Sequence, residues 1–125
     1  MGYNCAVDWI VEFYQDSKGT EPVADFIDSL PIETQAKIVR LIDLLAQHGV
    51  LLKEPYTKQI KGKLREMRVI DRAGNVRILY FTHTGKRFIL LHGFVKKTAK
   101  TPAAEIYIAE RRMNDFIARH GGKQL

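Results

Sequence analysis

The sequence predicts one α+β domain spanning residues 1–125, a small curled antiparallel sheet with helices packed on one face. The expected order is a strand, two helices, a three-strand meander and a C-terminal helix. Three observations predict it. Two stretches carry apolar residues at helical spacing before residue 50, three strand-like stretches joined by short turns follow from Lys63, the first of them alternating with period two, and helical spacing returns after Pro102. A chain of 125 residues, 46% of them hydrophobic, suffices for one core.

Asp8 to Tyr14 is rich in β-branched and aromatic residues and reads as a strand. A loop follows, with Ser17, Gly19 and Thr20. Thr20 is placed to cap a short helix that has Pro22 in its first turn and Val23, Phe26, Ile27 and Leu30 on one side. Pro31 ends that helix and opens a second, which runs to about His48. Its stripe is Ile38, Leu41, Ile42, Leu45 and Ala46, and Gly49 supplies the stop. The two helices form a hairpin.

From Lys63 the period becomes two. Leu64, Glu66, Arg68 and Ile70 fall on one face, and Arg65, Met67 and Val69 on the other. Turns at 71–75 and 83–86 separate this strand from Val76–Thr82 and from Arg87–Val95. The last strand is nearly all apolar, as a centrally placed strand is. After Pro102, the residues Ala103, Ile106, Ala109, Met113, Phe116 and Ile117 make the stripe of a final helix ending near His120.

The formal net charge is +6, but it is unevenly placed. Lys58 to Lys100 carry 12 basic side chains against two acidic ones, Glu66 and Asp71. That excess is the electrostatic footprint of a polyanion partner such as RNA or DNA. No apolar run reaches membrane-spanning length, and the N-terminal residues lack the pattern of a signal peptide. A cytoplasmic protein with no membrane partner is expected. The single cysteine, Cys5, excludes an internal disulfide and a cysteine-built zinc cluster. The four histidines are scattered without paired carboxylates, so neither a metal nor another cofactor is expected. His92, in its apolar strand, reads as a hydrogen-bonded core or cleft histidine.

What remains for chemistry is a set of charged residues on strands. Glu66 and Arg68 are two apart and share a face. A hairpin brings Arg77 close to Arg68, and Lys96 and Lys97 end the last strand. Strands hold such groups more rigidly than loops do. The chemistry that fits is metal-independent RNA cleavage by attack of a 2′-hydroxyl on the adjacent phosphorus. It needs a base, cations around the phosphorane and a proton donor for the leaving oxygen. Arg68 and Arg77 suit the middle task. Glu66 is a candidate base or an orienter of Arg68, and Lys97 a candidate acid. Spacing alone does not separate this from passive phosphate binding.

Three segments resemble motifs of the RelE/ParE toxin superfamily, closest to its phage-derived, HigB-like branch. They are Lys61-Gly62-Lys63-Leu64-Arg65-Glu66-Met67-Arg68, Arg77-Ile78-Leu79-Tyr80-Phe81, and Leu90 to Thr98 followed by Lys100-Thr101-Pro102 and Glu105-Ile106. The resemblance covers about residues 5–119, and its most specific part is the Gly-Phe-x-Lys-Lys-Thr-x-Lys-Thr-Pro run. It implies a RelE-like fold and the toxin of a type II toxin–antitoxin pair, a ribosome-dependent mRNA endonuclease that blocks translation. Arg68, Arg77 and the Lys96–Lys97 pair match the superfamily's catalytic cations. Glu66 stands where RelE itself has a lysine, and Tyr107 is a candidate counterpart of the RelE-type tyrosine. Lys58, Lys61, Arg65 and Lys96 are the expected RNA-binding residues. The expected partners are a cognate antitoxin, of helix-turn-helix type with an acidic segment, and the ribosome with its mRNA. The free toxin is expected to be a monomer and the toxin–antitoxin complex a hetero-oligomer. Because the same fold also serves ParE-like inhibitors of DNA gyrase, that activity is the alternative.

Overall fold

The computed structural model describes residues 9–121. Cys5 and Asp8 lie outside them. Strand β1 (Ile10–Phe13) leads into helices α1 (Pro22–Asp28) and α2 (Ile32–His48). A 3-10 turn (Gly49–Leu51) precedes strands β2 (Thr57–Lys61), β3 (Leu64–Asp71), β4 (Gly74–His83) and β5 (Arg87–Lys96), and helix α3 (Ala103–His120) closes the chain. The five strands form one sheet in the order β1-β5-β4-β3-β2. The α+β class and its curled sheet are therefore as predicted, and Arg87–Lys96 is an inner strand flanked on both sides.

Four details differ from the sequence expectation. The meander has four strands, because Thr57–Lys61 pairs antiparallel with β3. Its Thr-Lys-Gln-Ile-Lys sequence has one apolar side chain, too little for a period-two signal. Lysines along an edge strand are a common guard against edge-to-edge pairing. The second difference is that β1 joins β5 in parallel, so the sheet is not wholly antiparallel. Such a pair needs no hairpin, and the rest of the chain makes the long crossover.

The third is that the helices cover both faces. On one side α1 and α2 pack Val23, Ile27, Ile38, Leu41 and Leu45 against Met67, Val76, Ile78, Tyr80, Phe88 and Leu90. On the other, α3 sets Ala109 and Phe116 over Leu64, Leu79, Phe81, Ile89, Leu91 and Phe94. Strands β4 and β5 are apolar on both faces, and each face needs its own cover. The fourth concerns Thr20, which does not cap α1. Glu21 holds that place without a side-chain bond, Pro22 opens the first turn as expected, and the Thr20 N–H donates to Asp16 Oδ1 at 3.0 Å.

Gly49 ends α2 at φ +57°, a conformation that costs side-chain-bearing residues energy. Gly93 serves by its size instead. A Cβ there would lie 2.3 Å from Cδ2 of Phe26, on the inner side of α1. Among the described residues, no helix is long and apolar enough to cross a membrane.

The turn between β3 and β4 is tied to α2 by Asp71. Its carboxylate accepts from the Ala73 N–H and the Thr34 hydroxyl, both at 2.9 Å, and Lys37 lies 3.6 Å away. The Ala73 hydrogen bond chiefly, with Thr34 and Lys37, holds the Asp71 carboxyl below its ordinary value of 3.8, against a smaller effect of burial.

Two predictions follow from this packing. Gly93→Ala should lose about 1–3 kcal/mol in urea unfolding, because the Phe26 ring must move off the sheet. The Asp71 contribution should be complete above the ordinary carboxylate range and vanish as pH falls through the lowered folded-state value. Asp71→Asn should therefore flatten the acid limb of the thermal-stability profile.

Candidate active site

Strand register assembles the charged residues. Lys58 of β2 lies opposite Glu66 of β3, and Arg68 lies opposite Arg77 of β4. On β5, Phe94 pairs with Arg77 and Lys96 with Asn75. Since directly opposed residues share a face, Glu66, Arg77 and Lys96 all project toward the α3 side.

Glu66 is the hub. Its Oε2 lies 3.4 Å from Nε of Arg77 and 3.8 Å from Nε of Arg68. Its Oε1 accepts a 3.1 Å hydrogen bond from the Thr101 hydroxyl, in the loop before α3. Glu66 is 1% exposed and Arg77 3%. The Arg77 Nη1 donates to the Val76 carbonyl at 3.3 Å. The Nε groups of Arg68 and Arg77 are buried at ion-pair distance from Glu66 but lack a hydrogen-bond partner. Burial pulls the Arg77 guanidinium below its ordinary value, Glu66 opposes that shift, and Arg68 adds to it.

Above the hub is a cavity of about 250 Å³ lined by Lys58, Gln59, Ile60, Glu66, Lys96, Ala99, Lys100, Thr101 and Ile106. The Lys96 ammonium is pulled below its ordinary value by partial burial, an effect that Glu66 opposes and that Arg77, Arg68 and Lys58 reinforce. One carboxylate thus sits among four cations from four strands, with Lys100 on the rim. The excess positive charge suits binding of a phosphodiester.

The structure sorts the residues expected from sequence. Glu66, Arg68, Arg77, Lys58 and Lys96 come together. Arg77 lies behind Glu66 rather than on the cavity wall, because β4 is an inner strand and the segment before α3 closes over it. Lys97 is one residue past the end of β5, exposed and off the cavity lining. Lys61 is exposed at the sheet edge and ion-paired with Glu110 at 3.2 Å. Arg65 is on the opposite face, half-buried, and donates to the Thr57 hydroxyl at 3.0 Å, so it is not part of this cluster. Tyr107 lines a different cavity, of about 450 Å³, with Tyr14, Asp16, Arg111, Arg112 and Asp115. Asp115 is spoken for there, accepting from Tyr14 at 2.6 Å and from Arg119 at 2.8 Å.

Thr101 and Lys100 carried no assigned role in the sequence reading, although both stand in its most specific motif. Only the return of that loop over β3 shows what they face. His92 is hydrogen-bonded, as its position in an apolar strand implied. Arg112 can only donate, so Nδ1 accepts from it at 3.3 Å, and Nε2–H donates to Glu105 at 2.6 Å. Arg112 also donates to the Leu91 carbonyl at 2.9 Å. This network fastens α3 to β5 and so sets the position of the Thr101 loop. Burial lowers the His92 pKa, an effect that Glu105 opposes and Arg112 reinforces.

The hub predicts an asymmetry in stability. Glu66→Gln leaves two cations buried without their anion and should cost about 3–5 kcal/mol in urea unfolding. Arg77→Met should cost less, since Glu66 keeps Arg68 and Thr101.

The model of a family described as "Phage derived protein Gp49-like (DUF891)" matches residues 25–114, from α1 to the middle of α3. Among curated proteins, none matches the chain.

Proposed function

The chain belongs to the phage-derived Gp49-like family, a toxin-like family of toxin–antitoxin pairs, and from that membership we propose that it is a ribosome-dependent mRNA endonuclease that needs no metal. The observation that carries this reading is the gathering of Lys58, Arg68, Arg77 and Lys96 around the buried carboxylate of Glu66. A protein that acted only by docking to another protein would have no use for cations concentrated at a small cavity.

The roles follow from position. A scissile phosphate enters the cavity against Lys58, Lys96 and Lys100. Arg68, whose side chain is one-quarter exposed, reaches the phosphoryl oxygens from beside Glu66. Arg77 acts from behind as a fixed positive charge. Its field is strong because the surroundings are poorly solvated, and its orientation costs nothing during reaction. Glu66 orients both guanidinium groups. Its two oxygens already serve two arginines and a hydroxyl, so orientation suits it better than proton abstraction. Lys97 and Lys61, exposed and outside the cavity, add to the positive charge of the surface. In-line attack of the 2′-oxygen then expels the 5′-oxygen and leaves a 2′,3′-cyclic phosphate.

The antitoxin of such a pair has a suitable surface beside this site. A groove of about 330 Å³ between α2 and β3 has Leu41, Leu44, Tyr56, Val69 and Ile70 as its floor and Lys37, Arg40 and Arg68 at its margin. Apolar floor and cationic margin suit an acidic amphipathic segment, which would meet Arg68, the ion-pair partner of Glu66.

The test is a translation reaction containing ribosomes and end-labelled mRNA. Wild-type protein should cut the message, Arg68→Ala should lower the rate by about 10²-fold or more, and ribosome affinity should fall steeply between 50 and 200 mM salt, as phosphate contacts release counterions. Intact message at growth-arresting concentrations, with inhibition of gyrase supercoiling, would replace this reading by the gyrase alternative.

A further inference from the structure

We infer that Lys96, not Lys97, is the proton donor to the leaving 5′-oxygen. The inference rests on the endonuclease reading above and assigns a step within it. Phe94 pairs with Arg77 and Lys96 with Asn75, so both side chains take the α3 face of β5. Phe94 confirms that face by packing with Ala109 and Phe116 in the core beneath α3. Lys96 follows it by two residues and opens into the cavity beside Glu66 and Thr101. Lys97 has left the strand, is exposed, and does not line the cavity.

The other candidates are disqualified by their partners or positions. An arginine surrenders no proton near neutral pH. Glu66 has both oxygens engaged, by two guanidinium groups and the Thr101 hydroxyl. His92 is occupied on both ring nitrogens, by Arg112 and by Glu105. Tyr107 faces the other cavity. Lys58 and Lys100 line the cavity but are exposed, where water keeps the ammonium fully hydrated. Of the three lysines on the cavity wall, Lys96 is the half-buried one, and its burial, joined by Arg77 and Arg68 against the opposing Glu66, makes its proton easier to give up.

The step balances as follows. The 2′-oxygen forms its bond to phosphorus and its proton passes to water. The phosphorus–5′-oxygen bond breaks, and the electron pair on the departing oxygen takes a proton from Nζ of Lys96. The products are a 2′,3′-cyclic phosphate, a 5′-hydroxyl and a neutral amine, which recovers its proton from solvent.

The experiment uses the full chain with ribosomes and an mRNA whose cleavage site has first been mapped. A second mRNA carries sulfur in place of the bridging 5′-oxygen at that site. A thiolate leaves without protonation, so a lost donor is no longer felt. Lys96→Met should slow cleavage of the ordinary message by about 10²–10⁴-fold and approach the wild-type rate on the sulfur-bridged one. Lys97→Met and Arg68→Met should change the two substrates by equal factors. Lys96→Arg, which keeps the charge, should remain slow on oxygen and fast on sulfur. A Lys96→Met defect of equal size on both linkages would overturn the assignment and leave Lys96 as an electrostatic contact. Selective rescue of Lys97→Met would transfer the role to Lys97. Failure of the wild-type protein to cut either message would instead overturn the endonuclease reading itself. Thermal unfolding of each variant separates loss of fold from loss of the donor.

Discussion

The rest of the site depends on one buried carboxylate. Two arginines on neighbouring strands face each other directly across β3 and β4, and alone they would repel at short range in a poorly solvated setting. Glu66 removes that conflict by lying against both. A buried ion pair of this kind contributes little net stability, because desolvation opposes the attraction. Its value lies in geometry. With Glu66 present, the guanidinium groups have one arrangement, and the surplus charge is directed at the cavity.

The same carboxylate links the site to the C-terminal third of the chain. Thr101 donates to it from a loop whose position is set by α3. The helix is in turn fixed by Phe116 and Ala109 in the core and by the His92–Glu105–Arg112 network over β5. Packing of an apolar helix face therefore determines where a hydroxyl meets the Glu66 carboxylate. This is a stricter arrangement than a patch of surface lysines, whose side chains move freely and pay entropy on binding.

Much of this arrangement is legible along the chain. Helix α2 shows itself through the spacing of Ile38, Leu41 and Leu45, and its end through Gly49. Strand β3 shows itself through the alternation of Glu66 and Arg68 with Met67 and Val69. The pairing of Arg68 with Arg77 follows from a short turn between consecutive strands. The short edge strand β2 was hidden because its lysines face solvent and it buries little. The second helical layer was hidden because an all-apolar strand reports that it is covered, not which helix covers it.

By itself, then, the sequence determined the α+β class, the order of the main elements, the excess of cations after residue 57, and the neighbourhood of Glu66, Arg68 and Arg77. These are local or nearest-neighbour properties, carried by periodicity, turn residues and charge. Tertiary structure alone decided that Arg77 lies behind Glu66 and that Lys96 enters the cavity while Lys97 does not. Those distinctions turn on which way one residue faces at a strand's end and on how a distant loop folds back. Both are settled by packing between layers that no stretch of sequence contains.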